Sequence, residues 1–515
     1  MSILFTDFYI TYFFQPSVNM KIMAKRISNP GNDIFRYLVS LMPNAVMTEW
    51  GNFSVRTRVT ARSSQYTFFV SNDECAYQSI HLDDYKKISK LQDSYTRTQD
   101  MIEVIGTIGI EPPVCVPASL LVESRAANIA AMQSQLYFHY SDCIEPLFKV
   151  IYTPNLSPEI FSLPILIAVN LEDYTTRILG TDYFGESKKA GLRMWNKWIY
   201  DLGGLALHAG CKTYRNQCGE EKAVIIIGLS GTGKTTTTFK QHLGSLPVQD
   251  DFCALFPDGR LFASENGCFA KTFGLDEGHE PIIYHALKQS EAWLENVSVD
   301  ENGKVDYSNG SYTTNGRGTF TLDKIEHRNP IQLPEVSHII ILNRNFDIIP
   351  AMALLKREQA TEYFMLGETT GTSAGGEAEA GKFLRVPGTN PFFFTDNALQ
   401  GERFNDILKQ NPEIKVILMN TGCIGGRPKE PGSIKIEISH SSALLEALLR
   451  DEIEWREDED FGYFLPANSI PKCPPEVIDP HIYYLRSGRI EEYHKIVAFL
   501  KISRKKYFEK NALNL

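Results

Sequence analysis

The sequence predicts an α/β protein built in at least two parts, and three observations point there. The chain is 515 residues long, room for two to four domains at about 150 residues each. Strand-like and helix-like segments alternate along it. Near Gly210 the texture changes: a polar connection (211–222) leads into KAVIIIGLSGTGKTTTTFKQ (222–241), a strand, a glycine-rich turn and a helix in immediate succession.

Hydrophobic residues make up 43% of the chain and charged residues 22%, so there is apolar material for a large core and no sign of a disordered or fibrous chain. Lys plus Arg is 52 and Asp plus Glu is 62, a formal net charge of −10. Such an acidic chain has no general attraction for nucleic acid or anionic membrane, so an anionic ligand must be held by locally placed cations and backbone amides. The nine cysteines form no C-x-x-C pair and no zinc-finger spacing; they read as reduced thiols of a cytoplasmic protein.

In chain order, MSILFTDFYITYFFQP at the N-terminus is apolar and aromatic, but it is interrupted by Asp7 and ended by Pro16. It is shorter than the roughly 20 residues a span requires and lacks a basic n-region and a cleavage site. It reads as a packing arm, or as an over-extended start with the initiator at Met20 or Met23. Residues 36–70 alternate apolar and polar positions as strands do. Residues 118–140 have helical periodicity without internal Pro or Gly. The run 165–169 suits a buried strand, and 175–185 is a more polar stretch. Residues 187–210 read as a helix, a break at Gly203-Gly204 and a buried strand. Further strands are expected at 246–248, 337–343 and 415–419, and helices at 443–452 and 487–510. The segment GETTGTSAGGEAEAGK (367–382) is a loop by composition. Domains are expected at 1–30 (arm), 31–212, 213–470 and 471–515.

Gly228-Leu229-Ser230-Gly231-Thr232-Gly233-Lys234-Thr235 matches G-x-x-x-x-G-K-[ST] in full, between a strand and a helix, the context the motif requires. Glycines let successive N–H groups converge on phosphate oxygens, and the helix N-terminus adds its dipole. Lys234 reaches the β- and γ-phosphates; the Thr235 hydroxyl can ligate a divalent metal, with Thr236 following. Asp250-Asp251 comes soon afterwards, at the end of a strand-like LPVQ, where a carboxylate can hold metal.

With GLSGTGKTT, the close Asp-Asp, ENGCFAKT (265–272), GHEPIIY (278–284) and the Arg of TNGRG (314–318) in that order, the chain resembles phosphoenolpyruvate carboxykinase, the ATP-dependent branch more than the GTP branch. GTDYFGESKK (180–189) resembles that family's substrate and metal segment, LALHAG (205–210) its metal-histidine segment, and TARSSQYTFFV (60–70), more loosely, its substrate-arginine segment. The resemblance runs from about residue 55 to 450.

It implies two lobes, an N-terminal mixed α/β lobe and a C-terminal P-loop nucleotide-binding lobe, with the active site in the cleft. It also implies the reaction of oxaloacetate and ATP to phosphoenolpyruvate, CO2 and ADP, a step of gluconeogenesis, in a cytoplasmic monomer or small homo-oligomer with no nucleic-acid or membrane partner. The implied cofactors are Mn2+ on Lys189, His208 and Asp251, and Mg2+ with ATP at Thr235. Arg62 would bind the substrate carboxylate, Tyr183 would pack near substrate or CO2, and Arg317 would bridge the transferred phosphoryl group and substrate. Glu280, Lys435 and Ser441 fall where the family meets nucleotide, Lys188 is a weaker candidate, and 367–382 resembles the lid. Three departures stand out: Gln249-Asp-Asp-Phe-Cys-Ala in place of G-D-D-E-H-x-W, no lysine in the lid, and Ser63-Ser64-Gln65 after Arg62. Two other readings share the P-loop: another P-loop small-molecule or protein kinase, which leaves Arg62, Lys189 and His208 without a role, and a nucleotide-binding regulator without activity.

Overall fold

The computed structural model describes residues 24–72, 78–139, 145–229, 231–371 and 381–510; the expected N-terminal arm and the centre of the 367–382 segment lie outside them. The architecture is mixed α/β with several sheets, two of them eight-stranded. The first takes its strands from residues 26–179, the second from residues 209–466.

The second sheet carries the glycine-rich turn. Strand Glu221–Ile227 lies between Ala209–Arg215, antiparallel, and Val336–Asn343, parallel, and Val336–Asn343 is followed by Lys415–Asn420, again parallel. Ala223 to Ile227 are fully buried, as expected of a strand covered on both faces, where β-branched residues form a continuous apolar run. Helix Lys234–Phe239 packs onto the neighbouring strand at Gly210, whose position would put a Cβ 2.1 Å from Thr238 Oγ1. Under that helix the buried Lys212 ammonium donates to the Thr237 and Lys240 carbonyls at 3.0 and 2.9 Å, closing the helix C-terminus.

A five-stranded sheet joins distant parts of the chain. Ala45–Met47 pairs with Phe53–Val55, which pairs with Trp293–Glu295; that strand pairs with Arg317–Thr321, which pairs with Gly267–Lys271. Helix Phe184–Asp201 packs against the first sheet, and at its start the Phe184 N–H donates to Glu295 Oε1 of this five-stranded sheet at 2.8 Å. The strand Ala209–Arg215 runs across position 212, where the composition shift falls.

Several expectations match and three do not. The strands at 246–248, 337–343 and 415–419 are present, as are the break at 203–204 and the terminal helix, which spans Ile490–Lys510. The other helix begins earlier than expected, at Ile438, where Glu437 closes a capping box with His440. Residues 118–140 are not one helix: Val116–Glu123 is a strand paired along its full length to Met101–Ile108, and the helix starts at Ala127. A strand buried on both faces shows no alternation, so its periodicity is not distinctive. Residues 32–40 form a helix with Phe35 and Val39 on its buried side, so the first five residues of the 36–70 stretch expected as strands are helical. Thr175–Leu179, within the stretch read as polar, is a buried strand in which Thr175, Thr176 and Ile178 are β-branched.

Gly210→Ala should drive helix Lys234–Phe239 off its strand. A loss of about 1–3 kcal/mol is expected from such overpacking, read as a lower urea midpoint than wild type.

Candidate active site

Most of the expected residues line one cavity of about 280 Å³. Leu229, Gly231, Gly233, Lys234, Thr235 and Thr236 form one wall; Arg62, Tyr183, Lys189, His208, Asp251, Glu280 and Arg317 line other sides. Gly231 and Gly233 have φ of 86° and 95°, open to glycine without strain. Gly228 and Thr232 sit beneath the turn: the Thr232 hydroxyl donates to the Leu229 carbonyl at 2.8 Å, and a Cβ at Gly228 would lie 2.5 Å from it. Ser230 lies outside the described residues. Lys435 is exposed, pairs with Glu437 at 3.0 Å, and lines an adjoining cavity with Thr236, Glu280 and Ile283. Ser441, on helix Ile438–Leu449, lines neither cavity.

Asp251 is the centre of the cavity floor. Its Oδ2 lies 2.5 Å from Lys189 Nζ and 3.1 Å from Lys188 Nζ; its Oδ1 lies 2.8 Å from Lys234 Nζ and 3.1 Å from His208 Nε2. Burial alone would raise its pKa, but Lys188, Lys189 and Lys234 hold it well below the usual carboxylate range. Lys188 is fully buried and shared with Glu265 at 2.7 Å, so it is part of the site's foundation and not on a solvated face. Burial would neutralise that lysine, yet Asp251 and Glu265 hold its pKa above the ordinary lysine value.

Lys189 behaves in the opposite way. Burial pushes it down to about 8, with help from Lys188 and Lys234 and against the pull of Asp251. Phe252 and Phe392 sit 5.2 and 4.7 Å from its ammonium and keep water away. His208 is buried, and burial first, then Lys234, pushes it down to about 3, so the ring is neutral at pH 7. Its Nδ1 faces the Thr389 carbonyl at 2.9 Å. A carbonyl only accepts, so Nδ1 carries the proton and Nε2 presents a lone pair to a carboxylate oxygen.

Two acceptors facing each other beside a readily deprotonated amine form a donor set that suits a divalent cation. Among the described residues no group of three or more His, Cys, Asp or Glu side chains could hold a metal, so the set is complete only when a lysine counts as a ligand. A second possible position involves Asp250, whose Oδ2 accepts from Thr235 Oγ1 at 3.3 Å. Its Oδ1 is buried without a conventional partner, beside the Cys268 thiol. Burial raises the pKa of this carboxyl group.

Basic and aromatic side chains make up much of the remaining lining. Arg317 opens strand Arg317–Thr321, is buried, and stacks 5.1 Å from the Phe269 ring. Lys271, in the same sheet, is pushed down to about 8 by burial and by Arg317 and Arg344. The Tyr183 hydroxyl accepts from Asn315 Nδ2 at 3.3 Å. The Glu280 carboxylate accepts from Thr236 Oγ1 at 2.5 Å, and burial raises its pKa. Phe392 gathers Arg62, Lys189 and Arg193 around its ring at 5.3, 4.7 and 5.6 Å. Sequence reasoning passed over Phe392, Thr389 and Lys271. Of these only Lys271 left a signal, inside ENGCFAKT; the other two act through a ring face and a backbone carbonyl, which no motif encodes.

Known proteins agree in kind. The phosphoenolpyruvate carboxykinase family model matches residues 29–476. The phosphoenolpyruvate carboxykinase (ATP) of Shouchella clausii is 30% identical over 464 residues, 84% of this chain and 85% of its own. That of Brevibacillus brevis is 28% identical over 502 residues, 91% of each chain. That of Campylobacter jejuni is 32% identical over 345 residues, 66% of this chain and 61% of its own. With the P-loop, Asp251 and the lysine–histidine pair in one cavity, and the family match covering nearly all of the described residues, the chain belongs to the ATP-dependent phosphoenolpyruvate carboxykinase family.

Proposed function

We propose that this chain converts oxaloacetate and ATP to phosphoenolpyruvate, CO2 and ADP in the cavity between an N-terminal lobe (31–212) and a P-loop lobe (213–470). The observation that carries the reading is that Arg62, Lys189 and His208 line the same cavity as the P-loop. Another P-loop kinase would leave those three side chains idle.

Arg62 binds the substrate carboxylate through its planar fork, and Tyr183 closes the substrate side. Lys189, His208 and Asp251 would hold Mn2+, and Thr235 with Asp250 would hold the Mg2+ carried by ATP. Bound there, these cations supply Lewis-acid stabilisation of charge on the enolate and phosphate oxygens. Loss of CO2 leaves the pyruvate enolate, whose negative charge Arg62 and Arg317 stabilise. The enolate oxygen then attacks the γ-phosphorus and ADP leaves; Lys234 and Arg317 neutralise the transferring phosphoryl group. The P-loop amides hold the phosphates, with Thr236 and Glu280 beside them. Phe252, Phe269 and Phe392 keep water from protonating the enolate to pyruvate.

Neither lobe presents a helix long and apolar enough to cross a membrane among the described residues. The reading is of a cytoplasmic monomer or small homo-oligomer.

The test supplies oxaloacetate, Mn2+ and either ATP or GTP, and measures phosphoenolpyruvate and nucleoside diphosphate. Turnover with ATP is expected; tight ATP binding with no product from either nucleotide would leave a regulator. His208→Ala should lower turnover by about 100-fold or more with ATP affinity nearly unchanged, whereas Lys234→Ala should damage phosphoryl transfer. A fully active His208→Ala would remove the metal assignment.

Mn2+ binding should also depend on pH through Lys189. Below about 8 its amine is protonated and has no lone pair to give. Affinity should therefore climb by about tenfold per pH unit from pH 6 to 8 and level off above. Lys189→Met should bind more weakly, with a flatter profile, in a Mn2+ titration followed by electron paramagnetic resonance.

A further inference from the structure

The C-terminal helix Ile490–Lys510 lies beyond residue 476, where the family match ends. It nevertheless places a buried guanidinium against the cavity wall. Arg504 donates from Nη2 to Glu368 Oε2 at 2.6 Å, and from Nε to Oε1 and Oε2 at 3.2 and 3.1 Å. Its Nη1 donates to the Tyr363 hydroxyl at 2.9 Å. Arg385, directly across the strand pair from Glu368, donates to Glu368 Oε1 at 2.7 Å and to the Ser503 carbonyl of the helix at 3.0 Å.

Glu368 opens strand Glu368–Thr370, whose Thr369 and Thr370 line the cavity, as does Leu384 of the partner strand Phe383–Arg385. The backbone carries the connection on: Thr370 N donates to the Arg344 carbonyl at 3.0 Å, and Arg344 Nη1 donates to the Gly231 carbonyl of the P-loop at 3.2 Å. A contiguous hydrogen-bonded route thus joins the last helix to the phosphate-binding turn.

We propose that Arg504 and Glu368 are positioning residues: the C-terminal helix, through this buried ion pair, holds the Thr369–Thr370 wall and the P-loop turn in register for nucleotide. The pair is desolvated, so each partner fixes the other tightly. Removing Glu368 leaves Arg385 and Arg504 facing each other with no acid between them, and removing Arg504 leaves Glu368 tied only to Arg385 and no longer to the helix side chain. The role rests on the cavity being the nucleotide site of the proposed reaction.

The experiment uses the full chain with Glu368→Gln, Arg504→Met, Arg504→Lys and the double variant Glu368→Gln/Arg504→Met. It reads kcat, KM for ATP, MgADP Kd by calorimetry and thermal midpoint. Each single variant, assayed well below its midpoint, is expected to lose about tenfold in kcat/KM for ATP and in MgADP affinity. The double variant should lose no more than the worse single one, because both act in one unit. Arg504→Lys should recover part of the loss. Glu368→Gln keeps the side-chain shape and decides the matter if Arg504→Met does not fold. A folded Glu368→Gln with wild-type kcat/KM and MgADP affinity and only a lower midpoint would overturn the proposal, as would fully additive losses. If the wild-type chain makes no phosphoenolpyruvate, the reaction assignment fails, and the MgADP affinities still decide the positioning role.

Discussion

The site is organised by a single buried carboxylate that meets four basic side chains. Asp251 touches Lys188, Lys189, Lys234 and His208 from three separate segments of the chain. Its negative charge allows cations to crowd there without mutual repulsion opening the cavity. Glu265, behind Lys188, supplies a second negative charge, which is why Lys188 keeps its proton while its neighbour Lys189 gives it up more readily. Adjacent lysines on one helix thus have opposite proton affinities, set by which of them faces a second acid. Removing Asp251 would cost about 3–5 kcal/mol, because the buried lysine charges it balances stay behind.

Aromatic rings do the complementary work. Phe252 stands where the family's usual Asp-Asp-Glu would put an acid, and it packs 5.2 Å from the His208 ring and 5.2 Å from the Lys189 ammonium. Phe392 meets the same two side chains from the other direction. An acid at position 252 would strengthen the hold of Lys189 on its proton; a phenyl ring weakens it. The departure of this segment from the family pattern therefore has a physical consequence for the proton affinity of Lys189, which still meets Asp251 and shares the cavity with the P-loop.

The chemistry was more legible in the sequence than the folding pattern. The P-loop shows because its glycines must adopt left-handed backbone and its Lys-Thr must follow at fixed spacing. Lys189 and His208 show through motif resemblance, since each by itself is an ordinary surface lysine or core histidine. Strands 246–249, 336–343 and 415–420 show as short segments with an apolar centre. What did not show depends on tertiary partners. Val116–Glu123 is a strand because Met101–Ile108 pairs with it along its whole length. The Thr389 carbonyl sets the His208 tautomer with an atom that every residue possesses. Arg504, in a helix that reads as solvated at its basic end, is buried because Glu368 lies across from it.

The five-stranded sheet has a consequence for how the molecule comes into being. Asn52 donates to the Leu287 carbonyl across 235 residues of chain, and Phe53–Val55 has Trp293–Glu295 as its inner neighbour. A nascent chain leaving the ribosome carries this N-terminal hairpin long before its docking strand has been made. During that interval Phe53 and Val55, both buried in the finished sheet, have the helix at 32–40 beside them but lack the Trp293 ring that stacks on Phe53, and the uncovered side needs shielding by a chaperone or by transient collapse. The early segment can settle only after synthesis has passed residue 295, so completion of this part of the fold is paced by translation.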